Sequence, residues 1–434
     1  MDFMSATTPV QHLIDFLQAG VSPYHTIGHS AALLDAAGFQ ALDYKEPWQL
    51  EAGKGYYCRT FSGELFAFKS GKKLDLHKGI HIAAGHVDWP CLKIKPDPSF
   101  VKLGYLQANV EVYGGPILNT FMDRPLSMAG KIALKSDSIL QPEIRYVDLK
   151  KAICIIPNLA IHMNRKVNEG VELDKQIHMM PILGMVEDQL NKNDYLLEYV
   201  AAHENVSVDD ILDYELYLYN MDAPALVGLE EEFLSSPRLD DTTAVSALVH
   251  GLIESTPTDT LGLCALFDNE EVGSHTKQGA DASMLTRILE KIWAAFGKTP
   301  LECAADIHGG MILSIDVGHG YHPNYPATSD ITTFPRLGGG FVIKTDSNQK
   351  YAWDCEATGA MIQLCEHFDI PYQRFAKRSN IAGGGTIASL ISSHIPLKTV
   401  DMGVALLSMH SSRELMGAKD QESLENAVKY FMSV

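Results

Sequence analysis

Histidine and carboxylate side chains follow the apolar runs of this 434-residue sequence, at the point where each run ends. The runs read GIHIAAG, LGLCALF, MILSI and VALLSM, and an acidic pair in SPRLDD stands directly before a helical pattern. The side chains at these positions are His86, Asp88, Asp240, Asp241, Asp268, Glu270, Glu271, Asp316 and His410. Imidazole nitrogen and carboxylate oxygen are zinc ligands, and a donor set without thiolates is typical of catalytic sites.

The number of candidate ligands favours two metal ions over one. A single tetrahedral ion with an open position takes three protein ligands, whereas five side chains suit two ions if one carboxylate bridges them. Paired ions ~3.5–4 Å apart are a recurring hydrolytic device. The five side chains are His86, Asp240, Glu271, Asp316 and His410.

Each candidate also has a plain structural explanation when it is taken alone. A single histidine at a strand end is usually a hydrogen-bonded polar residue, Asp240 or Asp241 would cap the helix that follows, and two adjacent glutamates often form a solvated turn. Their joint placement at equivalent strand ends favours a site. Asp88 is expected to accept the second ring N–H of His86 and fix its tautomer, whereas Asp268 has no predicted role beyond the loop or the support of neighbouring ligands.

The elements that must position these side chains are predicted from the apolar patterns. Runs that are apolar on both faces and alternate with helical patterns indicate buried strands of an α/β sheet, where ligands bind at the carboxyl ends. TTPVQHLIDFLQAG predicts a helix that Thr8 caps and Gly20 ends. YYCRTFSGELFAFK predicts a hairpin that turns at Ser62-Gly63, and ESLENAVKYFMSV predicts a last helix.

The middle of the chain has a different texture, with short strand-like pieces such as LQANVEVYGG, KAICIIP and YELYLYN. We therefore predict an α/β domain, with a mixed central sheet flanked by helices, that is formed by residues 1–97 and 230–434. An inserted, strand-rich domain is predicted over residues 98–229.

Composition restricts the class of partner and the compartment. The net charge of −19 disfavours a nucleic-acid or anionic-membrane partner, and no apolar run approaches the ~20 residues that span a bilayer. The N-terminus MDFMSATTPV lacks the basic and apolar pattern of a signal peptide. Seven widely spaced cysteines without a CxxC motif favour a reducing, cytoplasmic location.

The sequence resembles the aspartyl aminopeptidases, a family of di-zinc exopeptidases, over most of its length. The shared blocks, in the order of that family, are GHVDWPCLKIKP, VYGGPILNTFMDRPL, IPNLAIHMNR, SPRLDD, FDNEEVGS, SIDVGHGYHPNY, GGGTIASL and MHSSRE. Any one of these blocks is a weak signal, and several together are specific.

The resemblance implies a role for individual residues. His86, Asp240 and Asp316 would hold one zinc ion, and Asp240 would bridge to a second zinc held with Glu271 and His410. The general base and the residues that bind or orient other groups would be Glu270, Asp88, His162 and Lys344. Of these, Glu270 would be the base and Asp88 would orient a ligand. His162 would reach the active site of a neighbouring subunit, and Lys344 would bind the acidic side chain of the substrate.

The resemblance also implies the assembly, the cofactors and the substrates. The inserted domain would mediate dimerisation, and dimers would build a homo-oligomer, a tetrahedral dodecamer. The fold would be of the zinc exopeptidase type, with two zinc ions that cobalt or manganese can replace. The expected reaction releases N-terminal Asp or Glu from small peptides.

Three positions depart from the pattern of that family. Val87 and Trp89 stand where the family commonly has hydroxyl residues, and Pro125 replaces the second aspartate of DRDL. Because an indole beside His86 changes the shape of the pocket, a related di-zinc aminopeptidase of broader specificity is an alternative. A deacylase and a non-catalytic metal-binding scaffold are further alternatives, although a scaffold would have no need of Glu270.

Overall fold

The computed structural model describes residues 8–186 and 195–434. The expectation that the chain has no signal peptide rests on residues 1–7, which lie outside the described part. The described chain forms two compact units. The first unit comprises residues 8–88, Pro224–Met409 and Glu414–Val434, and the second comprises the described residues of Trp89–Ala223 together with His410–Arg413.

The chain alternates helices and strands, as expected for the α/β class. The helices of the described residues are α1 Pro9–Ala19, α2 Pro23–Ala36, α3 Tyr195–Glu204, α4 Leu239–Glu254, α5 Met284–Ala295, α6 Pro300–Ile307, α7 Cys355–His367, α8 Ile387–His394 and α9 Asp420–Phe431. The strands are β1 Gln40–Leu42, β2 Gly55–Cys58, β3 Leu65–Ser70, β4 Ile80–His86, β5 Cys91–Lys102, β6 Tyr105–Tyr113, β7 Leu126–Leu134, β8 Glu143–Asp148, β9 Ile182–Met185, β10 Ile211–Asn220, β11 Ala225–Val227, β12 Phe233–Ser236, β13 Leu261–Phe267, β14 Met311–Ile315, β15 Gly318–His319, β16 Phe341–Thr345, β17 Tyr372–Ala376, β18 Lys398–Gly403, β19 Ala405–Leu407 and β20 Glu414–Gly417.

A nine-stranded sheet forms the centre of the first unit, in the order β1-β2-β3-β13-β4-β14-β18-β16-β17. The four central strands, β13, β4, β14 and β18, run parallel to one another. β3 pairs with β13 in the antiparallel sense, and so does β16 with β18. The sheet is therefore mixed, which confirms the predicted fold class.

The central strands are buried on both faces, which explains their continuous apolar sequences. Successive side chains of a strand point to opposite faces, and two separate clusters of core residues receive them. In β13, Leu263 and Ala265 belong to one cluster, while Cys264 and Leu266 belong to the other. The first of these clusters includes residues of α5 and α8, and the second includes residues of α1, α4, α7 and α9. Helices thus cover both faces of the sheet.

The predicted first helix, hairpin and last helix are confirmed. α1 begins after Thr8, whose side chain accepts the backbone N–H of Gln11, and ends before Gly20. β2 and β3 form the predicted hairpin. The last helix is α9, and both α1 and α9 pack against α4.

The second unit contains a six-stranded sheet in the order β8-β7-β10-β5-β6-β9. Its first strand begins at Cys91, upstream of the border predicted at residue 98, because β5 runs without a break from Cys91 to Lys102 and pairs with β6 and β10. At the other border, β11 pairs with β12 in the first unit, so the chain returns to that unit before residue 230. KAICIIP forms only the isolated bridges of Cys154 and Ile155 rather than a strand.

A five-stranded sheet, β11-β12-β20-β19-β15, completes the first unit. The sequence VALLSM was expected to be a strand of the central sheet, but its strand β19 belongs to this smaller sheet, where it pairs with β15 and β20. The strand that lies next to β14 in the central sheet is instead β18. His410 therefore does not follow a strand of the central sheet.

The described residues contain no helix that is long and apolar enough to cross a membrane. All seven cysteines are free thiols, and only Cys355 among them is exposed.

Gly403, the last residue of β18, allows the close approach that places Asp316. The backbone N–H of Asp316 donates to the carbonyl oxygen of Met402 at 2.9 Å, and a Cβ atom on Gly403 would overlap the carbonyl oxygen of Asp316. We therefore expect Gly403→Ala to lower the free energy of unfolding by about 1–3 kcal/mol, as overpacking does, and to reduce the content of the zinc that the family resemblance implies. Urea unfolding and elemental analysis measure the two effects.

Gly359 provides the matched control for this prediction. It lies inside α7, and a Cβ atom there would meet nothing within 4 Å. Gly359→Ala should therefore stabilise the protein by roughly 0.5–1 kcal/mol, the helix-propensity difference between the two residues. Equal stability of the two alanine variants would contradict the proposed role of Gly403.

Candidate active site

The ends of three adjacent parallel strands bring the predicted side chains of the first unit together. His86 is the last residue of β4, Asp268 follows β13 directly, and Asp316 follows β14 directly. β4 lies between the other two strands in the sheet. The sequence therefore predicted these neighbours correctly, because parallel strands bring their carboxyl ends to one edge.

Buried carboxylates surround the imidazole of His86. Its Nε2 lies 3.4 Å from Asp240 Oδ1, 3.9 Å from Asp241 Oδ2 and 4.0 Å from Asp316 Oδ1. These four side chains are all buried, and each offers a ligand atom within 4.8 Å of the others. Glu270 and Glu271 also offer ligand atoms, and these lie within 4.8 Å of each other and of a ligand atom of His86.

Asp240 and Asp241 precede the regular part of α4, since both have backbone dihedral angles outside the helical region. Sequence reasoning expected one of the pair to cap the helix. Instead, Asp241 accepts the backbone N–H of His86 at 3.3 Å, and the N–H of Asp240 donates to Glu414 Oε2 at 3.1 Å. The sequence had left open that the other member of the pair projects into the crevice, whereas the participation of Glu414 was not predicted, because its partner is distant in the sequence.

Asp88 holds two glutamates as well as the histidine. The backbone N–H of Glu270 donates to its Oδ1 at 3.0 Å, and that of Glu271 donates to its Oδ2 at 3.1 Å. The Nδ1 of His86 lies 3.1 Å from the carbonyl oxygen of Asp88 and 3.4 Å from its Oδ1. One buried carboxylate thus fixes the loop that carries both glutamates beside the histidine ring.

Asp268 closes the same loop at its base. Its backbone N–H donates to the carbonyl oxygen of Gln278 at 3.0 Å, and the side-chain amide of Gln278 donates to its Oδ2 at 2.5 Å. The N–H of Asn269 donates to its Oδ1 at 2.8 Å. Asn269 then adopts the left-handed conformation, with φ 65°, before a single 3-10 turn from Glu270 to Val272. Asp268 therefore positions the two glutamates, but it does not belong to the described clusters of ligand atoms around His86.

The electrostatics of the cluster oppose the ionisation of its acids. Desolvation, reinforced by neighbouring carboxylates, raises the pKa of Glu270 to about 8. Desolvation also raises the pKa of Asp316 to about 6 and that of Asp241 well above its ordinary value. Burial disfavours the charged form of His86, but the surrounding aspartates raise its pKa well above the usual range.

The cluster suits a divalent cation. One imidazole and three carboxylates are ligands that zinc takes, and a cation among like charges offsets their repulsion. In addition, Asp241 Oδ1 is buried and has no hydrogen-bond partner within the described residues. A buried acceptor without a donor costs about 1–3 kcal/mol, which a cation at the cluster would relieve.

Two predicted residues, His410 and His162, belong to the second unit. The Nδ1 of His410 lies 3.1 Å from the carbonyl oxygen of Gly115. If the ring donates there, its Nε2 carries the lone pair, which is the arrangement of metal-binding histidines. His162 is exposed on a segment outside the strands and helices.

Lys344 is completely buried in β16, with 0 % of its surface exposed. Its Nζ lies 2.8 Å from Asp401 Oδ1 and 4.9 Å from the centre of the Tyr351 ring. Asp401 also accepts a hydrogen bond from the hydroxyl of Thr386. Since Asp401 lies in β18, the ammonium ion is engaged in an ion pair between neighbouring strands of the central sheet.

A cavity of about 310 Å³ in the first unit is lined by residues that follow Asp316 and β17. Its wall includes His319, His322, Lys377 and Arg378. Lys377 forms an ion pair with Asp346 at 3.2 Å, whereas the Nε of Arg378 donates to Asn380 Oδ1 at 2.8 Å. The described residues place neither histidine in a cluster of metal-type side chains.

Comparison with known proteins identifies the family. The family described as "Aminopeptidase I zinc metalloprotease (M18)" matches residues 16–432. The chain belongs to the M18 family. This M18 protein is therefore a metallo-aminopeptidase, a hydrolase of peptide bonds, and it takes zinc as the family description states.

Curated relatives of this M18 aminopeptidase share its full extent. The protein called "Probable M18 family aminopeptidase 2" of Clostridium novyi (strain NT) is 41% identical over 409 residues, which cover 94% of each chain. A protein of the same name from Clostridium acetobutylicum is 38% identical over 423 residues, 97% of this chain and 98% of the relative.

Solved structures share the fold of this M18 aminopeptidase. A cryo-EM structure of the Ape4 and Nbr1 complex matches with a TM-score of 0.93 and 30% identity, over 98% of this chain and 85% of that one. The crystal structure of yeast aminopeptidase 1 matches with a TM-score of 0.85 and 28% identity, over 97% and 96%. The S. cerevisiae mApe1 dodecamer matches with a TM-score of 0.84 and 29% identity, over 97% and 95%.

Proposed function

We propose that this aminopeptidase uses two zinc ions to release N-terminal residues, preferentially Asp and Glu, from small peptides. The observation that carries the proposal is the convergence of His86, Asp240 and Asp316 with two glutamates at the ends of adjacent strands. One glutamate is available as a ligand, and its neighbour is available for proton transfer. The assignment of individual roles follows the resemblance to aspartyl aminopeptidases.

The proposed ligand sets share one carboxylate. His86 and Asp316 would hold the first ion with Asp240, and Glu271 and His410 would hold the second with Asp240. Zinc at such a site lowers the pKa of a coordinated water toward neutrality, which makes it a nucleophile at physiological pH. Cobalt and manganese accept the same oxygen and nitrogen donors, so either would replace zinc.

Glu270 is the proposed general base. Its carboxylate takes a proton from the attacking water and returns it to the nitrogen of the leaving amine, as peptide-bond cleavage requires. Asp88 supports this role because it fixes the backbone N–H of Glu270 and of Glu271. The free amine of the substrate would bind beside the buried carboxylates, which restricts cleavage to the N-terminus.

The adjacent glutamates give a matched pair of variants. Glu270→Gln should lower kcat by at least about 10²–10⁴-fold, the range for loss of a general base, with an unchanged zinc content. Glu271→Gln should instead lower the zinc content and lower kcat with it. Steady-state kinetics and elemental analysis are the measurements. A Glu270→Gln enzyme with wild-type turnover would remove Glu270 from the base role.

The alternative activities differ from the proposed one in the substrate that they cleave. A broader aminopeptidase hydrolyses aminoacyl-anilides of many residues, and a deacylase hydrolyses acyl-amino acids, which lack a free amine. Rate profiles over both substrate classes with zinc, cobalt and manganese therefore separate the three activities.

Recognition of an acidic side chain needs a cation that a substrate can reach. Lys344 was expected to serve, but its ammonium is fully buried against Asp401, and a second carboxylate would have to displace that pair. We propose that Arg378 supplies the charge instead. It lines the cavity whose wall also contains His319, three residues beyond Asp316, and a guanidinium binds a carboxylate with two parallel hydrogen bonds.

Arg378→Gln should lower kcat/KM for Asp and Glu substrates by roughly 10–100-fold, the effect of losing a charged hydrogen bond of about 1.5–3 kcal/mol. Rates on Ala and Leu substrates should stay within about twofold, since those side chains carry no charge to pair. Arg374→Gln is the control, because Arg374 is exposed on β17, shortly before Arg378 in the chain, and does not line the cavity. An unchanged acidic preference in Arg378→Gln, with its loss in a folded Lys344→Met enzyme, would return the role to Lys344.

We further propose that the protein is a homo-oligomer, a dodecamer built from dimers that form through the second unit. In this assembly His162 stabilises the oxyanion in the active site of a neighbouring subunit. The solved relative whose description names a dodecamer supports the assembly. Exposed apolar side chains of the second unit, among them Ile139, Leu140 and Met163, support burial against another copy.

Mixed oligomers test the contribution of His162 to a neighbour. Chains with His162→Ala and chains with Glu270→Gln, co-expressed with two tags and purified by both, should recover about a quarter of wild-type activity by random pairing across a two-fold interface. Co-expression of Glu270→Gln chains with Glu271→Gln chains is the control. It should recover no activity, because each site needs both glutamates of its own subunit. No recovery with His162→Ala would show that His162 does not act across subunits.

A further inference from the structure

Three helices of the first unit bring two histidines and a glutamate together away from the strand ends. They are His12 of α1, His250 of α4 and Glu425 of α9. The imidazole rings stack with centroids 3.8 Å apart and planes 8° apart, and His12 Nδ1 lies 3.1 Å from Glu425 Oε1. The three side chains each offer a ligand atom within 4.8 Å of the others.

The simplest explanation for this cluster is a stacked histidine pair that a glutamate holds in place. Its surroundings, however, disfavour the ionised carboxylate of Glu425. The side chain of Glu425 is only 5% exposed, and desolvation, with the nearby charge of Glu254, raises its pKa to about 8. The charge of Lys429 is already paired with Glu254 at 2.8 Å. Asp15 adds a further negative charge near His12.

The histidines are in the form that metals bind. Desolvation lowers the pKa of His12 and lowers that of His250 to about 4, so both rings are neutral near pH 7. Neutral imidazole is the ligand form, so neither ring must release a proton before binding, whereas the carboxyl group of Glu425, with its raised pKa, releases a proton when the ion binds. Glu254 stands four residues after His250 and Asp15 three residues after His12, so each lies on the same helix face.

We propose that His12, His250 and Glu425 bind one transition-metal ion with the ligand preference of zinc, at a site separate from the strand-end cluster. Two imidazoles and one carboxylate favour zinc, copper or nickel over calcium and magnesium, which prefer oxygen ligands. His250 lies ten residues after Asp240 on α4, roughly 15 Å along a helix axis. Neither cluster therefore shares a ligand with the other.

Binding requires rotation of the stacked imidazole side chains. Zinc–nitrogen distances of about 2.0–2.1 Å place tetrahedral donor atoms roughly 3.3 Å apart, so the stacked rings must turn until both nitrogens face the ion. The ion would join α1 to α4 and α9, and it would offset the charges of Glu425, Glu254 and Asp15. The site therefore fastens the first helix of the described chain to the helical layer beneath it.

Zinc stoichiometry tests the proposal in the full-length protein. Wild type, His250→Gln, His12→Gln and His29→Gln are dialysed against buffered zinc and measured by elemental analysis. The first two variants should each hold one zinc ion fewer per chain than wild type. His29→Gln is the control, because His29 packs against Phe16 nearby and is not one of the three ligands; its zinc content should equal that of wild type.

Hydrogen exchange of α1 provides a second readout. Added zinc should slow exchange in α1 peptides of wild type and of His29→Gln, and should not slow it in His250→Gln. Peptidase activity should be the same in all four proteins, which separates this site from the strand-end cluster. If His250→Gln does not fold, Glu425→Gln, which keeps the side-chain volume, replaces it. Equal zinc content with equal exchange in all variants would overturn the proposal and leave a stacked histidine pair.

Discussion

Mutual repulsion among buried carboxylates is the constraint on which the first unit depends. Asp240, Asp241 and Asp316 lie around His86 at distances at which like charges strongly disfavour joint ionisation. A flexible protein would separate these groups. Here they stay together because adjacent parallel strands fix the backbone at His86 and Asp316, and α4, which packs against β4 and β13, carries Asp240 and Asp241 at its start. The rigid sheet keeps the carboxylates close together, and their closeness creates the repulsion that a cation would offset.

Two adjacent glutamates, for which we propose different roles, lie at the same edge of the sheet. Asp88 fixes their backbone N–H groups, and Asp268 closes the loop in which they lie. With the backbone held at both points, ligand atoms of both side chains come close to His86 from a single 3-10 turn. The proposed metal ligand and the proposed base can therefore be neighbours in sequence and still reach one site.

The sequence predicted the elements whose pattern is local. Continuous apolar runs identified β4, β13 and β14, and a capping threonine before proline identified α1. Because strand ends share an edge, His86 and Asp316 could be placed together before any coordinates were known. Apart from the strand ends, the sequence did not predict contacts that join distant segments. Asp88 meets the backbone of Glu270 across 182 residues, and Lys344 forms a buried ion pair with Asp401 of another strand.

Membership of a particular sheet also lay beyond the sequence. VALLSM has the composition of a buried strand, yet only three of its residues form β19, which pairs in the five-stranded sheet. The preceding segment supplies β18 beside β14. Both segments are apolar enough for either position, so hydrophobicity alone could not decide between them. The sheet that a segment joins depends on the strands with which it pairs, and a single sequence does not show this pairing.

The order of the strands in the central sheet has a consequence for synthesis of the protein. β4 leaves the ribosome early, but its neighbours β13 and β14 begin only at Leu261 and Met311, and α9 covers them last. The six-stranded sheet of the second unit needs no strand beyond Asn220, and domains generally fold as units during translation. The second unit thus completes its sheet while the peptidase sheet is still unfinished. The cluster at the strand ends consequently cannot assemble before Asp316 has been made, well after the last strand of the second unit's sheet, so a shorter nascent chain lacks the complete cluster.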